Sequence, residues 1–222
     1  DSIAKTQNNV STSSLRDNEK KEKIDIESII GSDEGDETDI TGGINENKEI
    51  NKEIEFIRNN KPIAIGEVGL DNFRVDNLAR QKEVLIKFIK LATELEIPII
   101  VHSRKAEEET IEVLENNNAK QVVMHCFSGN KELTDKALKL GYYFTIPCSV
   151  IKNKTFRKLS KRIPLNKLLT ETDAPYLSPR DEPNEPAFIE DSIKKIAELK
   201  GLTPEELEKM IFINFKTLFK DE

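Results

Sequence analysis

The sequence predicts an α/β fold of parallel β/α units, arranged as a TIM-barrel-like (β/α) barrel. Short apolar segments of strand type alternate with amphipathic helical segments from residue 49 onward in the 222-residue chain. This alternation favours parallel strands joined by right-handed crossovers. Several of these strands end in a metal-binding type of side chain, as in barrels whose site lies at the carboxyl ends of the strands. An open doubly wound sheet also alternates, but no Gly-x-Gly-x-x-Gly follows a strand, which weakens a nucleotide-binding sheet.

Charge divides the chain into two parts. The formal net charge is −7, and residues 1–50 carry all of it with 6 basic and 13 acidic side chains, whereas residues 51–222 hold 28 of each. Residues 1–48 are acidic and lack proline and aromatic residues. We therefore expect a disordered or divergent segment there, followed by a (β/α) barrel domain over residues 49–222. The balanced body offers no general electrostatic footprint for nucleic acid, so any phosphate recognition must be local.

Two observations bear on the compartment. Cys126 and Cys148 are too few for a disulfide framework, and no basic-then-apolar signal peptide opens the chain. No apolar run approaches the roughly 20 residues of a membrane span. We therefore expect a reducing, cytoplasmic environment and no membrane partner.

Apolar spacing and end signals predict the elements in order. A helix from about residue 49 ends at Asn-Asn-Lys-Pro, before a strand at 63–67. The last helix opens with Thr203-Pro204-Glu205-Glu206, a capping box with proline at the first helical position. The remaining strands are expected at 97–102, 121–125, 142–147 and 167–171, and the helices at about 79–95, 106–116, 131–140, 156–161, 187–199 and 204–219.

Four side chains of metal-ligand type stand at predicted strand ends: Glu67, His102, His125 and Asp173. The two histidines are the only ones in the chain. A lone histidine at a strand end is more often a hydrogen-bonded structural residue, but the joint placement favours a site for Zn, Mn or a similar divalent ion. Such an ion makes water a usable nucleophile by lowering its pKa. Glu171 lies two residues before Asp173, so both carboxylates face one side of an extended chain and need a cation or proton.

Candidate substrate contacts flank these residues. Arg104 shares the side of His102 and either holds a phosphate oxygen or forms an ordinary surface salt bridge. Cys126 points away from its neighbour His125 on the strand, which favours a small buried hydrophobe over a ligand. Asn184 and Glu185 lie where a loop overhangs the mouth of a barrel, and they either contact the substrate or position the next helix.

Five motifs resemble, in order and spacing, those of the TatD-type metal-dependent deoxyribonucleases, and the resemblance covers about residues 49–220. It implies a barrel related to the amidohydrolases, exonuclease hydrolysis of DNA phosphodiesters and two divalent ions, which are Mg, Mn or Zn. It also implies that Glu67 bridges the ions, that His102 and His125 hold one of them, and that Asp173 binds the other and helps to activate water. The motifs are Ala-Ile-Gly-Glu-Val-Gly-Leu-Asp at 64–71, His-Ser-Arg at 102–104, His-Cys-Phe-Ser-Gly at 125–129, Glu-Thr-Asp-Ala-Pro-Tyr at 171–176 and Asn-Glu-Pro at 184–186.

The chain departs from that family in one respect. Members begin with a strand carrying a His-x-His pair, followed by two further β/α units, whereas both histidines here are already assigned. The resemblance then implies an incomplete barrel, with the last five of eight units recognisable and one ion instead of two. Three interpretations stay open: a DNA phosphodiesterase, an amidohydrolase-like barrel acting on amides or esters, and a catalytically impaired remnant that needs a second chain to complete its barrel.

Overall fold

The computed structural model describes residues 40–73 and 77–219, with side chains described from residue 48 onward, and in this part of the chain parallel strands alternate with helices. The strands are β1 (Ile65–Asp71), β2 (Ile99–Arg104), β3 (Val122–Met124), β4 (Tyr143–Pro147) and β5 (Leu168–Glu171). The α-helices are α1 (Ile40–Asn60), α2 (Leu78–Leu95), α3 (Glu107–Asn116), α4 (Lys131–Lys139), α5 (Lys154–Arg162), α6 (Ile189–Lys200) and α7 (Pro204–Phe219). Single 3₁₀ turns lie at Cys148–Ile151, Leu165–Lys167 and Pro186–Phe188.

The sheet has the strand order β1-β2-β3-β4-β5, and every neighbouring pair is parallel. A doubly wound sheet reverses its strand order at a switch point, whereas a barrel wall follows the chain. The predicted barrel-like α/β class is therefore confirmed. In the described residues β1 and β5 are the two outer strands, as in part of a barrel. Completion of that barrel by a second chain stays a prediction.

The apolar core lies between the sheet and the helices. On α2 and α3 the fully buried side chains include Phe88 and Leu114, which pack with strand residues such as Val101 and Phe144. Alternate strand residues point to the opposite, inner face of the sheet. There Val123 and Leu169 pack with Leu218 of α7, so α7 covers the part of the inner face that these two strand residues form.

Two strand boundaries differ from the sequence predictions and change the position of site residues. The first strand was expected at 63–67 and the second at 97–102, but β1 and β2 continue to Asp71 and Arg104. Glu67 and His102 therefore lie within strands and not at their ends. Glycines flank Glu67, a pattern that fits either a tight turn or a close backbone approach, and the structure shows the close approach: a Cβ at Gly69 would lie 1.9 Å from the carbonyl oxygen of His102.

The helix ends follow their local signals. Thr203 and Glu206 form the expected capping box: the Thr203 hydroxyl accepts from the Glu206 amide at 3.2 Å, and the Thr203 amide donates to the Glu206 carboxylate at 2.8 Å. Helix α1 begins at Ile40, so it crosses the boundary expected near residue 48. The rest of the predicted acidic segment lies outside the described residues. None of the helices in the described part of the chain is both long and apolar enough to cross a membrane.

The close approach at Gly69 predicts a large effect of one methyl group. Gly69→Ala forces β1 away from β2 next to His102, so the free energy of unfolding should fall by about 3 kcal/mol. At Gly141, a Cβ meets nothing within 4 Å and only the φ of +86° is unfavourable, so Gly141→Ala should cost about 1 kcal/mol. Urea unfolding of both variants measures the difference. An equal or smaller loss for Gly69→Ala would contradict the proposed packing.

Candidate metal centre

His125 lies at the centre of the candidate site. Its Nε2 atom is 3.2 Å from Oε1 of Glu67 and 3.3 Å from Oδ1 of Asp173. The same Glu67 oxygen is 3.1 Å from Nδ1 of His102. The structure therefore brings together all four residues that the sequence singled out as metal-ligand types.

This convergence requires a strongly curved sheet. Glu67 is carried by β1, His125 follows β3, and Asp173 follows β5. In a flat sheet, four strand spacings would put β1 and β5 about 19 Å apart. Because Glu67 and Asp173 nevertheless contact the same nitrogen atom, the sheet must curl toward its inner face, as the wall of a barrel does.

The second nitrogen of each imidazole also faces a carboxylate. Oε2 of Glu171 lies 2.5 Å from Nδ1 of His125, and Oδ2 of Asp71 lies 3.5 Å from Nε2 of His102. A carboxylate on one ring nitrogen fixes the tautomer and leaves the other nitrogen to act as a ligand. From sequence, Glu171 was expected only to share the side of Asp173, and Asp71 had no expected role beyond its motif, so neither orienting contact was predicted.

Neighbouring elements hold the backbone at two positions of the site, at Asp71, whose side chain faces His102, and at Cys126, which follows His125. Gln81 of α2 is buried and clamps the end of β1: its side chain accepts from the amide of Asp71 at 2.7 Å and donates to the carbonyl of Asp71 at 3.1 Å. On the other side, the hydroxyl of Thr145 in β4 accepts from the amide of Cys126 at 3.2 Å. Cys126 has a φ of +44°, and this turn ends β3 and presents His125 to the inner face.

The electrostatic environment of the site is negative. Burial lowers the pKa of His125, but hydrogen bonds with Asp173 and Glu171 and the charge of Glu67 outweigh burial and raise this pKa from 6.5 to about 10. An environment that stabilises a cationic ring to this extent also favours a metal cation. Burial and the same carboxylates raise the pKa of the Cys126 thiol, which keeps it protonated and agrees with a packing role.

The donor set and its spacing fit a divalent metal. In a tetrahedral site with bonds of 2.0–2.2 Å, ligand atoms lie roughly 3.3 Å from one another. The three contacts around Glu67 Oε1 and His125 Nε2 measure 3.1, 3.2 and 3.3 Å. In the described residues, no group of three or more His, Cys, Asp and Glu side chains is arranged, as it stands, to hold a metal ion. Three direct contacts link the four side chains, so these side chains would have to move apart for an ion to bind between them.

The predicted substrate residues occupy different positions. Arg104 is exposed at the end of β2, and its guanidinium lies 4.3 Å from the ring centre of Phe73. Asn184 is only 4% exposed, and its amide donates to the carbonyls of Thr172 and Tyr176. The side chain of Asn184 thus holds the loop after β5 in place, which favours positioning over substrate contact. Glu185 is exposed, and its contact with substrate stays a prediction.

A cavity of about 660 Å³ opens beside these carboxylates. It is lined by residues of the candidate site, including His125 and Asp173, and by apolar side chains of the sheet and α7, including Phe212 and Phe215. A mostly apolar lining with a few convergent polar groups is typical of a ligand-binding site.

The contact between Glu171 and His125 predicts a measurable effect on metal affinity. Glu171→Gln removes the charge that orients the imidazole, so Mn²⁺ or Zn²⁺ should bind about 10- to 100-fold more weakly. Isothermal titration calorimetry measures the dissociation constant, and Glu132→Gln on the exposed side of α4 is the matched control. An unchanged constant in the Glu171 variant, with its melting temperature preserved, would show that Glu171 does not position a ligand.

Comparison with known proteins gives a consistent result. A family model described as "TatD related DNase" matches residues 32–220. The chain is 37% identical over 175 residues to the uncharacterized metal-dependent hydrolase YabD of Bacillus subtilis, a match that covers 75% of this chain and 68% of that protein. It is 38% identical over 180 residues to the human deoxyribonuclease TATDN3, covering 78% of this chain and 66% of that protein. The chain therefore spans about two thirds of the length of these relatives.

Solved structures agree with the sequence relatives. The TatD homologue YjjV of Escherichia coli superimposes with a TM-score of 0.70 at 28% identity, over 79% of this chain and 70% of that chain. A TatD family hydrolase of Entamoeba histolytica gives a TM-score of 0.71 at 20% identity, over 81% of this chain and 71% of that chain, which shows the fold alone. The family model and the sequence relatives together show that the chain belongs to the TatD-related DNase family.

Proposed function

We propose that this chain hydrolyses phosphodiester bonds of DNA with the help of a divalent ion, Mg, Mn or Zn, and removes nucleotides from a strand end. The observation that carries the proposal is the meeting of Glu67, His102, His125 and Asp173 on one rim of the sheet. The relatives named as metal-dependent hydrolases and as a deoxyribonuclease support it.

The four side chains divide into two groups by their contacts. Glu67, His102 and His125 would hold one ion, because a single Glu67 oxygen contacts both imidazoles. Asp173 contacts the same imidazole nitrogen from the segment after β5, at the other edge of the sheet, and would serve a second, weaker position. A bound ion supplies Lewis-acid polarisation of the phosphoryl oxygen and lowers the pKa of water.

Side chains of the protein would accept the proton, bind the phosphate and orient the imidazoles. Asp173 is the most exposed of the four, at 31% of its side chain, so its carboxylate is placed to accept a proton from an attacking water molecule. The Arg104 guanidinium lies on the same rim and would bind phosphate oxygens and stabilise the charge that develops on them. Glu171 and Asp71 would hold the two imidazoles in orientation.

The proposal predicts a large loss of activity when one shared ligand is neutralised. Glu67→Gln removes the oxygen charge that faces both His102 and His125, so the rate of nucleotide release from single-stranded DNA should fall roughly 100-fold or more. The rate is measured as nucleotides released per unit time at saturating metal concentration, which a prior metal titration establishes. The matched control is Glu55→Gln on the exposed face of α1, which should leave the rate unchanged.

The same assay separates the open alternatives. Turnover of simple carboxylic esters with no release of nucleotides would favour an amidohydrolase-like barrel with another substrate. A circular single strand has no end, so an exonuclease leaves it intact. Unchanged nuclease activity in a folded Glu67→Gln protein would contradict the assignment of the site.

A further inference from the structure

An aromatic ring on the rim of the site is unexplained by the function proposed above. Phe73 lies in the loop that follows β1 and is 62% exposed. Single exposed apolar residues are common and need no explanation. Phe73 differs because two contacts of its own and one of its neighbour Asn72 fix it next to the candidate site and beside a cation.

The backbone of Phe73 is tied to the rim. The amide of Phe73 donates to Oδ1 of Asp71 at 2.7 Å, and the other Asp71 oxygen faces His102 at 3.5 Å. The amide of Asn72 donates to the carbonyl of Arg104 at 2.9 Å. Phe73 therefore lies two residues after Asp71, the carboxylate that faces the candidate metal ligand His102. Hydrogen bonds to both β1 and β2 hold the backbone from which the Phe73 ring projects.

Arg104 lies over the ring of Phe73, which is still 62% exposed. Its guanidinium carbon is 4.3 Å from the ring centre, a cation–π distance. The aromatic surface and the phosphate-binding type of side chain thus form one unit beside the candidate site.

The charge balance of the chain makes such a unit useful. Residues 51–222 carry equal numbers of basic and acidic side chains, 28 of each. A neutral body gains little from general attraction to a nucleic acid backbone. Stacking of bases on aromatic rings supplies affinity that does not depend on net charge and tolerates any base, because every base has a π face.

We propose that Phe73 is a stacking platform for a nucleobase adjacent to the bond that is cut, with Arg104 binding the neighbouring phosphate. This inference rests on the proposed function and names the side chain that would hold the base next to the cut bond. In a duplex, both faces of each base are covered by neighbouring bases, so stacking on Phe73 requires a base that has left the stack.

Binding measurements on strands with and without bases test the proposal. The probes are a fluorescent oligothymidylate of about eight nucleotides and a fluorescent strand of the same length made of abasic nucleotides. Both are measured in the presence of a chelator, so that no cutting occurs. Phe73→Ala should weaken binding of the oligothymidylate about 10-fold and leave binding of the abasic strand unchanged. Phe73→Trp should keep the affinity for the oligothymidylate.

The control is a phenylalanine with similar exposure away from the site. Phe56 on α1 is 51% exposed, and Phe56→Ala should bind both strands like the parent protein. If the parent protein cleaves DNA but Phe73→Ala binds oligothymidylate as tightly as the parent, the platform is wrong and the proposed function stands. Equal weakening for both strands would show a general packing effect and would overturn the platform. If the parent protein neither binds nor cleaves single strands, both proposals fall.

Discussion

Two carboxylates carried by the outermost strands, Glu67 on β1 and Asp173 after β5, contact the same nitrogen of His125. This contact depends on sheet curvature, since a flat five-stranded sheet would hold its outer strands about 19 Å apart. Within this sheet β1 and β2 also approach closely at Gly69, where a Cβ would collide with the backbone of His102. The fold and the candidate site therefore depend on the same curved sheet.

The concentration of negative charge gives the site its chemical character. Glu67, Asp173 and Glu171 surround one imidazole, and they stabilise its cationic form against the cost of burial. Such a cluster is unfavourable unless a proton or a metal cation compensates it. Carboxylates on the second nitrogen of each ring add orientation, which is the usual arrangement around metal-binding histidines. On the rim, Arg104 and Phe73 add a positive charge and an aromatic surface suited to a phosphate and a base.

Much of this arrangement could be predicted from the sequence, because strand periodicity and residue type act locally. The alternation of elements predicted the parallel sheet, and the capping residues predicted the start of α7 at Pro204. The extent of β1 could not be predicted, because its glycines also fit a turn and only the partner strand shows that they serve a close approach. Similarly, the roles of Glu171 and Asp71 depend on which ring nitrogen each one meets, and that is decided by the curvature of the whole sheet.

Asn184 and Phe73 are two further residues whose roles could not be predicted from the sequence. The position of Asn184 after a proline-rich loop left substrate contact and positioning of the next helix open, and its two bonds to backbone carbonyls of the loop after β5 favour a positioning role. Phe73 gave no periodic signal, because it stands in a loop and its partner Arg104 lies on the next strand. Residues whose role comes from a contact between distant segments are visible only in the folded chain.

The most direct test of the central claim is a crystal structure of the protein soaked with zinc, in which anomalous scattering locates the ion independently of the protein coordinates. The account predicts an anomalous peak at bonding distance, about 2.0–2.2 Å, from the Glu67 carboxylate and from Nε2 of His125. A fully occupied zinc ion elsewhere, with those two side chains still in contact with each other, would contradict it.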